Sequence, residues 1–120
     1  MNKDDLKRRT QLFGLRIIRL VESLPPGRTA SMIGGQLVRC GTSVGANYRA
    51  ACRARSHADF VSKMGIVEEE ADETIYWMEM LAESQIMPRK RMEPLMTEAG
   101  ELVAIAVASI KSARARTRAK

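Results

Sequence analysis

The sequence has 120 residues, of which 45% are apolar, 28% are charged and only 4% are aromatic. This length fits one domain with one hydrophobic core, and the composition is close to that of ordinary globular proteins, so disorder is not the default expectation. Aliphatic residues and methionine supply most of the apolar content, which favours helices packed on helices over a sandwich of strands. No apolar run approaches the ~20 residues that a membrane-spanning helix needs, and no signal peptide is visible. We therefore expect a single all-α domain without a membrane segment.

The net charge of +6 is unevenly distributed along the chain. Residues 1–55 contain 11 basic and 3 acidic side chains, residues 56–84 contain 1 and 8, and residues 85–120 contain 8 and 3. A basic chain suits a polyanionic partner, but acidic and basic helices that pair with each other would give the same asymmetry. Composition alone leaves both interpretations open.

The cysteines indicate neither a disulfide nor a metal site. Cys40 and Cys52 fall in one predicted helix, where their spacing places them roughly 18 Å apart. At that distance they can neither bridge each other nor share a metal, and the lone His57 adds no second ligand of the usual zinc type. Unpaired thiols are typical of a reducing cytosol. We expect a cytoplasmic protein with no metal and no cofactor.

Helix 1 is predicted from Asp4 to Ser23, and the double proline at residues 25–26 ends it. Its inward face follows three- and four-residue steps, with Leu6, Thr10, Phe13, Ile17, Leu20 and Leu24. A second apolar row exceeds what a single core requires and indicates contact with a neighbouring subunit; it consists of Leu12, Leu15 and Ile18.

Helix 2 is predicted from Thr29 to Ala54 and contains RCGTSVGANYR at residues 39–49. One interpretation of this stretch is a phosphate-binding loop, but such a loop follows a strand and leads into a helix N-terminus. Here no strand precedes it, and the helical apolar period passes straight through. Each mid-helix glycine costs about 1 kcal/mol relative to alanine, which close packing of another helix would offset. We therefore predict a helix-packing surface formed by the small residues Gly34, Gly41, Gly45 and Ala46.

Two further helices complete the predicted fold. Ser56 and Asp59 have the spacing of a capping box and begin helix 3, which is predicted to end at Ser84. Helix 4 is predicted from Met92 or Pro94 to Ala113. Residues 114–120 are basic and lack an apolar period, which predicts a disordered tail. Four amphipathic segments with short connections predict an antiparallel up-down-up-down four-helix bundle over residues 1–113.

The acidic run at residues 68–73 is the one cluster that resembles an active site. A di-iron bundle needs glutamates on several helices together with Glu-x-x-His pairs, whereas these acids occupy one helix with no histidine near them. Because helices 2 and 3 meet at a tight turn, Asp72 is expected near Arg39, with Glu69 and Glu73 within one turn of that level. We predict an ion pair between Arg39 and a carboxylate across the two helices.

Other polar and aromatic residues have structural interpretations. Asn47 is expected to bond a neighbouring helix or a buried backbone group. Trp77, beside Tyr76, suits either the core or a subunit contact, because Trp and Tyr favour interfaces. Neither a serine-nucleophile nor a cysteine–histidine spacing occurs, which predicts that the chain is not an enzyme.

Basic residues provide the candidates for nucleic-acid binding. Phosphate contacts need only such charges, although scarce aromatics argue against stacking of single-stranded bases and none of the usual DNA-reading motifs occurs. The alternative for the tail is a solvated segment without a function. The candidates are Lys7, Arg8, Arg16 and Arg19 on helix 1 and Arg114, Arg116, Arg118 and Lys120 in the tail.

The segment QLVRCGTSVGANYRAACRARSHADFVSKMGIVEEEADETIYWMEML, residues 36–81, resembles the signature of a bacterial four-helix bundle family. This family includes the proteins encoded in intervening sequences of large-subunit ribosomal RNA genes. The matching features are a QL-R-TS-GAN core, an arginine-serine turn, and a helix with a paired acidic segment and Tyr-Trp. Residues 6–24 and 92–110 fit the outer helices by pattern only. Ala50 departs from the family, because many relatives carry glutamate there.

The resemblance implies a cytosolic protein without known catalysis that can assemble as a ring of five bundles. A related branch, the accessory variability determinant of diversity-generating retroelements, is a basic pentamer that partners a reverse transcriptase and binds nucleic acid, which is an analogy only. We expect a non-catalytic homopentamer that binds RNA or DNA, or a nucleic-acid enzyme such as a reverse transcriptase, through basic surfaces. The alternatives are a purely protein-binding scaffold and an enzyme with a carboxylate or metal site.

Overall fold

Four α-helices account for most of residues 1–119, the part of the chain that the computed structural model describes. They are α1 (Lys3–Glu22), α2 (Arg28–Ala51), α3 (His57–Glu83) and α4 (Arg89–Ala119). Each helix contacts the next in sequence, and α1 also contacts α4, so the helices close into an antiparallel up-down-up-down bundle. The molecule is a rod with extents of 54 × 22 × 21 Å. Within residues 1–119 no strand occurs, and the all-α fold prediction is confirmed.

The core is formed by one apolar stripe from each helix, as the three- and four-residue spacing predicts. Fully burying a large aliphatic side chain contributes about 1.5–3 kcal/mol, and the stripes place many of them between the helices. Two buried threonines satisfy their hydroxyls locally, since Thr10 donates to the Leu6 carbonyl at 2.9 Å and Thr74 to the Glu70 carbonyl at 2.7 Å. The largest buried apolar residues include Phe13, Ile17, Leu37, Met64, Met78, Leu81, Met92 and Leu102.

The α1–α2 crossing is close because α2 presents glycines to α1. A Cβ added to Gly41 would lie 2.9 Å from both Cγ atoms of Ile17. A Cβ added to Gly45 would lie 3.3 Å from the carbonyl carbon and oxygen of Thr10, which are backbone atoms. The small residues at 39–49 therefore lie inside a continuous helix and pack against α1. Ala46, in contrast, is exposed.

The helix ends differ from the predicted ones mainly in α4. This helix begins at Arg89 and includes Pro94, so the basic residues 89–91 form its first turn instead of a loop. It then continues through residues 114–119, where the sequence predicts a disordered tail. Arg and Ala are good helix formers, and the Thr117 hydroxyl lies 2.8 Å from His57 Nδ1 on α3. Lys120 lies outside the described residues. Among the helices described, none is long and apolar enough to cross a membrane.

Candidate nucleic-acid interface

Arg39 joins α2 to the acidic face of α3 at mid-height of the bundle. Its Nη1 donates to Glu70 Oε2 at 3.0 Å and its Nη2 donates to Glu73. Hydrogen bonding to Glu73 raises the pKa of Arg39 above its ordinary value. The partners are Glu70 and Glu73 because residues three apart share a helix face. Asp72 lies about 100° around the helix from Glu73 and is exposed.

Arg9 makes the corresponding connection between α1 and α4. Its guanidinium donates two hydrogen bonds of 2.7 Å to Glu98 and one of 2.6 Å to Glu101. The hydrogen bonds to these carboxylates raise the pKa of Arg9 above its ordinary value. Arg9 was not predicted to form an ion pair, because its partners lie about 90 residues away on a helix that is not adjacent in sequence. An antiparallel bundle that closes on itself places α1 beside α4, and this topology is what would have predicted the pairing.

The remaining structural candidates make local contacts. Asn47 Nδ2 donates to the Ser43 carbonyl at 2.8 Å, so it bonds its own helix and not a neighbouring one. Trp77 Nε1 donates to Glu73 at 3.2 Å, and its ring meets that of Tyr76 edge-on with centroids 5.1 Å apart. Trp77 is half-buried, while Tyr76 is 51% exposed. All of these contacts are within a single helix. Two carboxylates of the acidic run, Glu68 and Glu69, line a groove of about 530 Å³ together with Lys111, Arg114 and Arg118.

The predicted basic residues of α1 do not form one surface with those of α4. Arg16 and Arg19 lie beside Arg91, at the end of the bundle where α4 begins. Lys7 lines a groove of about 240 Å³ between α1 and α2, together with Arg49. Arg8 is exposed and donates to Gln11 at 3.3 Å, and the three arginines of residues 114–118 lie at the opposite end of the rod from Arg16.

Positive charge is concentrated at one end of the rod, which we call the basic end. Here α1 begins, α2 ends, α3 begins and α4 ends. The basic end contains 11 basic and 3 acidic side chains, in residues 2–8, 49–63 and 111–118. Of these cations only Lys63 takes part in an ion pair among residues 1–119, with Asp59 at 2.9 Å.

The middle and the other end of the rod are different. The middle contains 2 basic and 7 acidic side chains, in residues 9–15, 29–48, 64–78 and 94–110. The other end contains 6 basic and 4 acidic side chains, in residues 16–28 and 79–93. The two cations of the middle, Arg9 and Arg39, are the ones that pair with glutamates. The excess of positive charge therefore belongs to the basic end.

Two neighbouring grooves open beside His57 at the basic end, in addition to a groove of about 530 Å³ that Lys111, Arg114 and Arg118 line together with Glu68 and Glu69. The first, about 370 Å³, is lined by the cationic residues Lys3, Arg55 and Arg116 and by His57; we call it the Arg116 groove. The second, about 380 Å³, is lined by His57 together with Arg114 and Arg118. His57 borders both grooves.

Arg114, Arg116 and Arg118 were predicted to lie in a disordered tail, and neither Lys3 nor Arg55 was predicted to belong to a site. The up-down topology brings these residues together, because it gathers alternate helix starts and ends at one level. Within residues 1–119, no three His, Cys, Asp or Glu side chains are grouped so that they could hold a metal ion.

Fold and surface together define an antiparallel four-helix bundle whose charge is polarised along its length. Residues 3–108 match the sequence model of a family described as 23S rRNA-intervening sequence protein. The chain therefore belongs to this family, which confirms the predicted resemblance. No catalytic activity is known for the family.

A solved structure supports the same relationship. The chain is similar to a protein with unknown function from the S23 ribosomal protein family of Bacteroides thetaiotaomicron, whose crystal structure was determined at 1.70 Å. The TM-score is 0.85 at 33% identity, over 92% of this chain and 99% of that chain. No curated protein matches this chain.

Proposed function

We propose that the protein is a non-catalytic, self-associating bundle that binds nucleic acid, or an enzyme that processes nucleic acid, through its basic end. The observation that carries the proposal is the segregation of charge: 11 basic against 3 acidic side chains at one end and 2 against 7 in the middle. Had the basic residues served only to pair with acidic helices, they would lie at the level of the acids. Arg9 and Arg39 do so. Arg114 and Arg118 share a groove with Glu68 and Glu69 but form no ion pair within residues 1–119, and Arg116 lines a groove that contains no carboxylate.

Binding of a polyanion to the basic end would have a measurable dependence on salt concentration. Each phosphate that a Lys or Arg neutralises releases condensed counterions, so log K falls with log salt at a slope of about −0.9 per contact for duplex DNA and about −0.7 for single strands. The basic end also attracts a negatively charged partner over a Debye length of about 10 Å at moderate salt. The binding is expected to be tolerant of sequence, since phosphate contacts carry no sequence information.

Self-association is the second part of the proposal, and the exposed apolar row of α1 supports it. Leu12 and Leu15 are 42% and 39% exposed, and they lie between Arg8 and Arg19 on one stripe of the helix. An acidic helix face of a second copy is complementary to this stripe, and α3 offers one with exposed Tyr76. We place the contact between copies at these faces. The proposed assembly is the homopentamer that the family resemblance implies.

The nucleic-acid test is fluorescence anisotropy with labelled single-stranded and duplex RNA and DNA, from about 50 to about 200 mM salt. We expect binding that weakens steeply with salt. Two triple variants remove the same charge: Arg114→Ser/Arg116→Ser/Arg118→Ser at the basic end and Arg16→Ser/Arg19→Ser/Arg91→Ser at the other end. The first is expected to abolish most binding and the second to retain it. No binding by the wild-type protein at the lowest salt contradicts the nucleic-acid role.

Assembly is tested separately by sedimentation velocity. The double variant Leu12→Glu/Leu15→Glu is expected to sediment as a monomer, whereas Val107→Glu, at a similarly exposed position on α4, keeps the wild-type size. A wild-type monomer contradicts self-association.

The alternative function, a purely protein-binding scaffold, is favoured by the same exposed row of α1. It predicts intact assembly together with no binding of any nucleic acid at low salt. The two assays therefore distinguish it from the leading proposal.

A further inference from the structure

The Arg116 groove draws its polar residues from four separate parts of the chain. Lys3 is the first residue of α1, Arg55 belongs to the turn between α2 and α3, His57 is the first residue of α3, and Arg116 lies in the last turns of α4. The groove, about 370 Å³, has an apolar floor that includes Phe60. The positive end of the α3 dipole adds to the potential of these cations, while the negative end of α2, which borders the same groove, offsets part of it.

Two of the three acids at this end, Asp59 and Asp5, have hydrogen-bond partners. The third, Asp4, lies near Tyr48 of the groove, and burial together with this carboxylate raises the pKa of Tyr48. Asp59 accepts from Lys63 Nζ at 2.9 Å and from the Arg55 backbone N–H at 3.4 Å. The bond from Lys63 lowers the pKa of Asp59, which keeps it ionised and paired. Asp5 accepts from the Asn2 backbone N–H as part of the cap of α1, and Asp4 is exposed. Among residues 1–119, no carboxylate forms an ion pair with the guanidinium of Arg55 or Arg116 or with the Lys3 ammonium.

A hydrogen bond joins α3 to α4 beside the groove. The Thr117 hydroxyl donates to the Ala113 carbonyl at 3.0 Å, so its oxygen is the acceptor for His57 Nδ1 at 2.8 Å. With the hydroxyl donating to the Ala113 carbonyl, this contact corresponds to the His57 tautomer that carries a proton on Nδ1, and it connects the first turn of α3 to the last turns of α4. Arg55 and Arg116, which lie within two residues of this hydrogen-bonded pair in sequence, both line the groove, although 60 residues separate the two hydrogen-bonded side chains in sequence.

We propose that the Arg116 groove binds one phosphodiester group of a nucleic-acid strand, with the neighbouring sugar packed against the apolar floor of the groove. Arg55, Arg116 and Lys3 contact the phosphate oxygens, since guanidinium groups suit phosphate geometry. This inference rests on the proposed nucleic-acid function and names the site within the basic end. RNA and DNA supply the same group, and the floor favours a phosphodiester with its sugar over free inorganic phosphate.

The test compares two double variants at the same end of the molecule with the same loss of charge. Arg55→Ser/Arg116→Ser removes two cations of the groove. The control Arg53→Ser/Arg118→Ser removes two exposed arginines that do not line it. In the anisotropy assay at about 50 mM salt we expect the groove variant to bind at least about tenfold more weakly, with a salt slope reduced by about 1–2. The control should lose no more than about threefold.

A charge-neutral variant separates geometry from charge. Thr117→Val removes the acceptor of His57 and keeps every cation, whereas Thr42→Val removes a hydroxyl that bonds only carbonyls of its own helix. We expect Thr117→Val to weaken binding severalfold and Thr42→Val to leave it unchanged. Melting curves of all variants establish that each one folds.

The outcomes distinguish the two proposals. Absence of wild-type binding overturns the nucleic-acid function and this site with it. Wild-type binding that both double variants weaken equally overturns the site alone, and so does unchanged binding by Thr117→Val. Effective competition by inorganic phosphate at the ionic strength of a chloride control overturns the assignment to a phosphodiester. Parallel RNA and DNA strands show which source of the group binds more tightly.

Discussion

Gly41→Ala tests whether the small residues of α2 are present for close packing. In an exposed helix, alanine is more favourable than glycine by about 1 kcal/mol. At Gly41 the new Cβ would lie 2.9 Å from two atoms of Ile17, closer than carbon atoms approach in folded proteins. Ile17 is fully buried and branched at Cβ, so it has little freedom to move away. Overpacking of this kind costs about 1–3 kcal/mol.

Gly35→Ala is the matched control, because Gly35 is in the same helix and a Cβ added there would point into open space, with no neighbouring side chain within 4 Å. It should stabilise the protein by about 1 kcal/mol through helix propensity alone. Both substitutions replace a helical glycine with alanine, so the gain in helix propensity is the same for both and cancels when their free energies of unfolding are compared. The gap between them is then the overpacking cost of about 1–3 kcal/mol, or about 4–12 °C in Tm at about 4 °C per kcal/mol.

The assay is thermal and urea unfolding of both variants, followed by circular dichroism. Adding Ile17→Ala removes the two nearest atoms and leaves the Cβ of residue 17 at 3.0 Å from the added Cβ, so in that background most of the cost of Gly41→Ala should disappear, as a double-mutant cycle reveals. Equal stabilisation by Gly41→Ala and Gly35→Ala would refute the reasoning, because it would mean that α1 does not approach α2 closely at this point.

Three further predictions concern charge and thiols. Arg39→Glu should lower the Tm, because it replaces an interhelical ion pair with repulsion between carboxylates; an unchanged Tm would show that the pair does not contribute. Lys63 lowers the pKa of Asp59, so the stability this carboxylate contributes is present above about pH 4 and is lost as the pH falls through the lowered value. Asp59→Asn should therefore flatten the acid limb of a pH–stability curve, and an identical limb would argue against the pairing. Cys52 should react readily with a thiol reagent, whereas Cys40, whose pKa burial raises, should react only on unfolding; equal rates would contradict its burial.

The fold was predictable because its information is local and periodic. Stripes at three- and four-residue steps define which residues of each helix face inward, and the double proline and the capping box at Ser56 mark two of the turns. The pairing of Arg39 with α3 followed from one further step, since a tight turn places residues equidistant from it side by side. Which carboxylate pairs with Arg39 was harder to predict. Asp72 lies at the level of Arg39 along the bundle, but the 100° rotation per residue of the helix directs Glu70 and Glu73 toward α2 instead.

The unpredicted features involve helices that are distant in sequence. Arg9 pairs across the closure of the bundle between α1 and α4, and no periodicity within α1 distinguishes it from Arg8. The last turns of α4 lack an apolar stripe, so their helical state depends on neighbours, including the contact of Thr117 with His57. Lys3 and Arg55 line the same groove only because the bundle topology brings the start of α1 and the turn between α2 and α3 to the same end of the rod. Sequence analysis that orders residues by their height along the bundle would recover this grouping.

The uneven charge of the sequence admitted two explanations, and the structure assigns them to different levels of the rod. Pairing between helices accounts for the middle, where Arg9 and Arg39 satisfy four of the glutamates. It does not account for the basic end, where the arginines of residues 114–118 repel one another and, within residues 1–119, form no ion pair, although Arg114 and Arg118 share a groove with Glu68 and Glu69. Like charges held together without partners destabilise a compact chain. A polyanion that occupies this end would remove the repulsion, and this residual charge is the physical reason for proposing such a partner.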